Sequence, residues 1–73
     1  MKTIKVGVIG YGYWGPNLAR NFFDLPSAEL VAIADLKEDR LQRAHSPYPE
    51  IRTTTNYNDL FNMDLDAVIV SVP

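Results

Sequence analysis

The sequence predicts an α/β fold in which a doubly wound parallel sheet carries helices on its faces. Stretches rich in β-branched residues alternate with stretches of helical periodicity, which is the pattern of βαβ units. Residues 30–34 form an unbroken apolar run, typical of a strand buried on both faces in a parallel sheet. The last β-branched run has no helix after it, so we expect a partial sheet, incomplete at its C-terminal side.

The first half of the chain predicts a strand, a turn, a helix and a second strand. Residues 4–9 are rich in β-branched side chains and lead into a glycine-punctuated turn over residues 10–15. Pro16 suits the first position of a helix, because the N–H that proline lacks would be unpaired there. The apolar spacing continues until Pro26 ends the helix, and residues 29–34 follow as the second strand.

The second half predicts two shorter helices and two further strands. Residues 37–45 indicate a polar helix with one buried stripe, and residues 51–54 a short strand. Residues 56–63 suggest a short helix, and residues 67–72 the last strand. A doubly wound sheet would order these strands 3-2-1-4. The 73 residues are about half a typical domain, so we expect residues 1–73 to be the front part of one larger domain.

Composition excludes several classes of protein. Seven basic and nine acidic residues give a net charge of −2, which leaves no basic surface to coat nucleic acid. The absence of cysteine excludes a disulfide-stapled secreted domain and a thiolate zinc site. No apolar run approaches the roughly 18 residues of a membrane span. We therefore expect a cytoplasmic protein with no nucleic-acid or membrane partner, and we assign no metal ligands.

Three glycines carry the strongest functional signal. Gly10, Gly12 and Gly15 match G-x-G-x-x-G between a predicted strand and a predicted helix. In that motif the first glycine permits the tight turn, the second lets a pyrophosphate approach the backbone, and the third lets the helix pack closely. Asp35 stands 20 residues beyond Gly15, where a carboxylate can accept hydrogen bonds from the adenosine ribose. The pattern predicts a dinucleotide-binding site. The alternatives are a plain turn without a ligand and a helix-capping role for Asp35.

The same residues bear on the choice of cofactor. Asp35 would repel a 2′-phosphate, which favours NAD over NADP. Lys37 weakens that preference, because a nearby cation tolerates the phosphate. Since Pro16 has no N–H, the amides of Tyr13 and Trp14 are the predicted donors to the diphosphate.

The remaining candidates have ordinary structural interpretations. Trp14 is expected to pack at the core or at the rim of the site rather than to stack on a ligand. Phe22 and Phe23 are predicted core residues of the first helix. His45 is predicted to be a surface residue favoured by the helix dipole. Ser71 has no histidine partner in any readable arrangement, and no residue is assigned a catalytic role.

Three segments resemble the N-terminal region of the Gfo/Idh/MocA family of oxidoreductases. They are Gly-Tyr-Gly-Tyr-Trp-Gly-Pro-Asn at residues 10–17, Val-Ala-Ile-Ala-Asp at residues 31–35 and Asp-Ala-Val-Ile-Val-Ser-Val-Pro at residues 66–73. The resemblance implies a Rossmann fold and a nicotinamide cofactor. It also implies a parent enzyme that transfers a hydride between that cofactor and a sugar, inositol or sugar-nucleotide hydroxyl. Residues 13–17 are similar to those of members that oxidise UDP-sugars at the 3-position.

The resemblance also implies which residues contact the cofactor. The residues assigned to the pyrophosphate are Gly10, Gly12, Tyr13, Trp14 and Gly15. Asp35 is assigned to the adenosine ribose, and Leu36 is placed near the adenosine. Val72 and Pro73 are placed near the nicotinamide end. The family usually has Thr-Pro at the last pair. The valine at position 72 therefore loses a hydroxyl contact or shifts it to Ser71.

The family's Glu-Lys-Pro motif and its second α/β domain would lie downstream of residue 73. That domain carries the catalytic acid–base pair, the substrate contacts and most of the oligomer interface. The resemblance thus implies a homo-oligomeric NAD(P)-dependent dehydrogenase as the parent, of which these 73 residues bind the cofactor at most. The alternatives are a non-catalytic NAD(H)-binding or redox-sensing module, or a methyltransferase or flavoprotein that uses a similar turn.

Overall fold

The computed structural model describes residues 3–12 and 14–71. These residues form the predicted alternation of strands and helices, in the order β1 (Ile4–Ile9), α1 (Gly15–Asp24), β2 (Ala28–Ala34), α2 (Glu38–His45), β3 (Arg52–Thr54), α3 (Asn58–Phe61) and β4 (Ala67–Val70).

The four strands form one parallel sheet in the order β3-β2-β1-β4, which confirms the predicted doubly wound topology. The strand ends lie level with one another. Ile9 of β1 pairs with Ala34 of β2 and with Val70 of β4, and Ala34 pairs with Thr54 of β3. We call this side of the sheet the carboxyl edge. Because every strand ends there, the loops that follow the strands converge on it.

Both faces of the sheet are covered where β1 and β2 end. On one face, Val8 and Ile33 are fully buried beneath α1 and α2. On the other face, Ala32 and Ala34 pack under Leu60 of α3. The apolar run of the second strand is therefore buried on both sides at its end, as its sequence predicted.

The first helix departs from prediction at its start and in the burial of one residue, and it ends at Asp24, before Pro26 as predicted. It begins at Gly15, one residue before the expected Pro16. Phe23 was predicted to be a core residue, and this was wrong, because its side chain is 55% exposed. The helix meets the sheet at Ala19, which is fully buried, whereas the ring of Phe23 lies beside that of Tyr48 at a centroid distance of 4.8 Å. Phe22 is half-buried.

The shorter elements also differ from prediction in length. β2 begins at Ala28 rather than at residue 29. α3 spans Asn58–Phe61, inside the predicted range 56–63. β4 spans Ala67–Val70, inside the predicted range 67–72, and Val70 is 62% exposed in this outer strand of the sheet.

Two negative findings apply to residues 3–12 and 14–71. No helix there is long and apolar enough to cross a membrane. No three His, Cys, Asp or Glu side chains cluster there in a way that could hold a metal ion.

Candidate functional site

A cleft of about 810 Å³ opens at the carboxyl edge of the sheet. Its walls come from the ends of the strands, the turn after β1, the start of α2 and the segment around α3. The lining residues are Ile9, Gly10, Gly12, Trp14, Ala34, Asp35, Leu36, Lys37, Arg40, Thr55, Tyr57, Phe61, Val70 and Ser71.

The turn after β1 depends on two glycines. Gly10 adopts a φ of 98°, a left-handed conformation that disfavours any residue with a Cβ. Its N–H donates to the carbonyl of Ala34 at 2.7 Å, which ties the turn to the end of β2. A methyl group on Gly15 would collide with the carbonyl oxygen of Gly10. The chain therefore doubles back closely enough to place the start of α1 at the carboxyl edge.

The N-terminal end of α1 is a suitable anion site. Its first turn contains no acidic residue, and Trp14, at the N-cap, makes no side-chain capping bond. The helix dipole places a partial positive charge at this end, and the first N–H groups of a helix have no partner within it. Gly12, just before it, has no side chain to fill the cleft, and the atom nearest to a methyl group there would be Nη1 of Arg40, 3.0 Å away. This geometry fits a diphosphate.

Asp35 is the buried acidic group of the cleft, since only 4% of its side chain is exposed. Its Oδ2 accepts a hydrogen bond from the N–H of Tyr11 at 2.7 Å, and its Oδ1 accepts one from the N–H of Lys37 at 2.9 Å. Nη1 of Arg40 lies 3.5 Å from Oδ2. These contacts hold the carboxylate in one orientation beside Gly12.

The same contacts keep the carboxylate charged. Burial alone would raise the pKa of Asp35, because it disfavours the charged form. The two backbone N–H groups and the Arg40 guanidinium favour the charged form and outweigh that effect, so the pKa lies below its usual value. Asp35 is therefore an anionic hydrogen-bond acceptor at neutral pH, as recognition of ribose hydroxyls requires.

An apolar rim surrounds this polar centre. Its members are large hydrophobic side chains that are exposed although they line a cleft: Trp14 at 63%, Leu36 at 81%, Tyr57 at 49%, Phe61 at 64% and Val70 at 62%. Trp14 thus takes the rim position that the sequence allowed and not a core position. Exposed apolar groups around a concave site are typical of surfaces that bury a flat ligand.

The structure brings together most of the predicted site residues. The three motif glycines, Trp14, Asp35 and Leu36 all lie at or beside the cleft. The predictions for Tyr13, Val72 and Pro73 fall outside the described residues.

Sequence reasoning missed the lining residues Arg40, Thr55, Tyr57 and Phe61. Arg40 had a usable signal, because it lies one turn beyond Lys37 at the start of the helix that follows Asp35. The other three follow β3, and the strand order, once predicted, already places the end of that strand next to β2. Tyr57 and Phe61 stand four residues apart, so a helix would bring both aromatic rings to one side, and that spacing was the signal to follow.

Comparison with known proteins gives the same result as the geometry. Residues 4–73 match the sequence model of the Gfo/Idh/MocA oxidoreductase family, described as an NAD-binding Rossmann fold. A glycosyl hydrolase family 109 protein from Shewanella sp. strain ANA-3 is 34% identical over 83 residues, covering 100% of this chain and 18% of its own. The chain thus spans about a fifth of the length of the curated relatives that it matches.

Two solved structures illustrate the similarity of fold. The scyllo-inositol dehydrogenase of Lactobacillus casei, with bound NAD(H) and scyllo-inositol, is 28% identical, with a TM-score of 0.86 over 99% of this chain and 22% of that one. The WlbA dehydrogenase of Chromobacterium violaceum, in complex with NADH and UDP-GlcNAcA, is 23% identical, with a TM-score of 0.87 over 100% of this chain and 21% of that one; at that identity the likeness concerns the fold alone. With a family match across residues 4–73 and the glycine turn and buried carboxylate in place, the chain belongs to the Gfo/Idh/MocA oxidoreductase family and forms its NAD-binding Rossmann region.

Proposed function

We propose that this chain supplies the adenosine and diphosphate site of a dehydrogenase that exchanges a hydride between NAD and a carbohydrate hydroxyl. The position of Asp35 carries the proposal. Its charged carboxylate is fixed by two backbone amides at the carboxyl edge, next to a glycine that leaves room for a diphosphate. A plain structural turn would need neither a buried charge nor an open cleft beside it.

NAD is the proposed cofactor in preference to NADP. A 2′-phosphate would bring negative charge to the ribose hydroxyl nearest Asp35, whose carboxylate is ionised and almost fully buried. Repulsion between like charges at such a site is poorly screened. The hydroxyls of the NAD ribose can donate to the same carboxylate, and hydrogen bonds to a charged group contribute about 1.5–3 kcal/mol.

Calorimetric titration of the chain with NAD and NADP tests this assignment. We expect tighter binding of NAD than of NADP, and we expect Asp35→Ala to weaken NAD binding and to reduce the discrimination. Asp39→Ala is the matched control, because Asp39 is an exposed carboxylate in the first turn of α2 and does not line the cleft. Equal affinity of the unmutated chain for both cofactors would contradict the role of Asp35.

The residues beyond the described ranges have proposed roles in the same site. We propose that the amide of Tyr13 donates to the diphosphate, and that Val72 and Pro73 lie near the nicotinamide. Support comes from their places in the chain, since residue 13 falls inside the glycine turn and residue 72 follows the end of β4 at the carboxyl edge.

For the whole protein, we propose a cytoplasmic, homo-oligomeric dehydrogenase whose substrate is a sugar, inositol or sugar nucleotide, bound by a separate domain after residue 73. The name of the similar scyllo-inositol dehydrogenase supports a polyol substrate. The resemblance of residues 13–17 to members that oxidise UDP-sugars supports a sugar nucleotide. Screening the full-length protein for NADH formation on inositols and UDP-sugars tests the substrate class. A full-length protein with a regulatory domain and no such activity would favour a redox-sensing module instead.

A second candidate function is glycoside hydrolysis, because the sequence relatives of 34–35% identity are named glycosyl hydrolases. The two functions differ in their net redox balance. A dehydrogenase releases one NADH for each substrate oxidised, whereas a hydrolase frees a sugar without accumulating NADH. Measuring NADH and free sugar in the same reaction separates them.

A further inference from the structure

Tyr11 belongs to the glycine turn at the mouth of the cleft, yet its side chain is buried. The residue is only 7% exposed, whereas Trp14 of the same turn is 63% exposed. Its ring joins the hydrophobic cluster that lies beneath α1 and α2. The other members of this cluster are Val8, Ala19, Ile33, Leu41, Ala44, Tyr48 and Ile51. Tyr11 thus has its ring in the core and its backbone at the proposed cofactor site.

The backbone of Tyr11 stands between two glycines. Glycine restricts φ and ψ less than any other residue, so Gly10 and Gly12 do not by themselves fix the direction of the peptide groups around Tyr11. The Tyr11 N–H nevertheless points at Oδ2 of Asp35, 2.7 Å away. The Cβ of Tyr11 also lies 3.6 Å from where a methyl group on Gly15 would stand, so the start of α1 packs against the base of the side chain. The burial of the ring and this close approach hold the backbone in one orientation.

From this geometry we infer that the buried ring of Tyr11 positions Asp35, because it fixes the backbone N–H that orients the carboxylate toward the adenosine ribose. The inference rests on the proposed dinucleotide site and concerns a side chain to which that proposal gives no role. Tyr11 is a positioning residue, since it acts through Asp35. A binding group that is already held in place loses less conformational freedom when the ligand arrives. Without the ring, the turn would move and the ribose hydroxyls would meet a carboxylate in several orientations.

Lys37 supplies the second backbone donor to the carboxylate, but its side chain does not have the same role. Its N–H lies 2.9 Å from Oδ1 of Asp35 and only two residues further along the chain, so local geometry brings the two together. The residue itself is exposed. Tyr11 is 24 positions from Asp35, and its place beside the carboxylate therefore depends on packing between distant segments. We accordingly assign the positioning role to the ring of Tyr11.

The test measures how tightly the full-length protein and its variants bind NAD and an NAD analogue that lacks the 2′-hydroxyl of the adenosine ribose. The ratio of the two affinities reports the contact between ribose and carboxylate, because a site built to bond a hydroxyl rejects the analogue that lacks it. We expect Tyr11→Leu to weaken NAD about tenfold, the size of one lost charge-assisted hydrogen bond, and to bring the ratio closer to unity. Tyr11→Phe keeps the ring and should restore most of the affinity and of the ratio.

Ile51→Ala is the matched control for a general loosening of the core. Ile51 belongs to the same cluster and is 8% exposed, close to the value for Tyr11, but its N–H donates to the carbonyl of Tyr48 and not to Asp35. We expect the ratio of affinities to stay unchanged in this variant. The pH profile gives a second measure. NAD affinity should fall in acid as Asp35 is protonated, and in Tyr11→Leu this fall should begin at a higher pH, because a donor that favours the charged form is lost.

Different results overturn different conclusions. An unchanged ratio in Tyr11→Leu, or an equal change in Ile51→Ala, overturns the inference while the proposed site stands. Failure of the unmutated protein to bind NAD, or to prefer it to the analogue, overturns the proposed role of Asp35 and this inference with it. If circular dichroism shows that Tyr11→Leu is unfolded, Tyr48→Leu decides the question, because it opens the cluster near the Tyr11 phenol and leaves Tyr11 in place. The ratio should then fall, and an unchanged ratio overturns the inference.

Discussion

The N–H of Tyr11 donates a 2.7 Å hydrogen bond to Oδ2 of Asp35, joining two residues that are 24 positions apart in the sequence. This bond connects the turn after β1 to the end of β2. Tyr11, which orients the proposed ribose acceptor Asp35, therefore belongs to the same turn that would contact the diphosphate. Any change that moves the turn should also move the carboxylate, so binding of the two parts of a dinucleotide should be coupled.

Acid should destabilise the chain through Asp35. Its pKa is lower in the folded state than in the unfolded state, so the ionised carboxylate stabilises the fold fully above about pH 4. That contribution should be lost as the pH falls from about 4 through the lowered value. Asp35→Asn should lower the free energy of unfolding by about 1–3 kcal/mol at neutral pH. Both oxygens of Asp35 accept backbone N–H groups, and the NH2 group of asparagine would face one of these N–H donors and leave it without an acceptor. Urea unfolding at several pH values measures both effects. A variant that keeps the steep acid dependence of the unmutated chain would contradict this prediction.

Alanine substitutions at Gly15 and Gly12 should have different effects, the first on the stability of the fold and the second on dinucleotide binding. Gly15→Ala should destabilise the fold by about 1–3 kcal/mol, because the new methyl group collides with a backbone carbonyl that cannot move freely. Gly12→Ala should cost little stability, because the atoms nearest to its methyl group belong to the flexible end of the Arg40 side chain. It should nevertheless weaken dinucleotide binding by filling the cleft. Thermal unfolding and titration of both variants check this contrast, and equal destabilisation by the two would refute it.

Alkaline pH should also lower the stability of the fold. Burial raises the pKa of Tyr48, helped by the nearby Tyr11 and Asp24, and burial likewise raises the pKa of Tyr11. Both phenols hold their protons longer in the folded state, so their contribution is complete below about pH 10 and is lost above it. Tyr48→Phe should flatten this alkaline loss. Tyr57→Phe, at an exposed position outside the core, is the control and should leave the loss as it is.

The single tryptophan should report cofactor binding. Trp14 is 63% exposed at the rim of the cleft, so a bound dinucleotide should shield its indole from water. Binding of NADH should quench tryptophan emission and sensitise the emission of the nicotinamide. AMP, which has no nicotinamide, should give no sensitised emission. Tryptophan emission that stays constant at saturating NADH would place the ligand away from this rim.

Much of this fold could be predicted because the residue pattern of each segment and the spacing between the segments both indicate the same fold. The β-branched runs and the glycine turn gave every strand and the strand order, and Asp35 was identified by its distance from Gly15. Phe23 was misplaced because helical spacing shows which side of a helix is apolar but not how deeply each residue on that side is buried. The position of Arg40 after Asp35 placed it near the site, but its contact with Gly12 joins two segments that are distant in the sequence, and no periodicity encodes such a contact.

The parallel order of the strands also has a practical consequence. Since all the strands end at the cleft, the connections that lead into them lie at the opposite edge. Ser27, just before β2, is exposed there, and its carbonyl, not its side chain, accepts the N–H of Ile4. The chain has no cysteine, so Ser27→Cys would create a unique thiol with almost no change in volume. A fluorophore or surface tether attached at that position would leave the cleft at the carboxyl edge free.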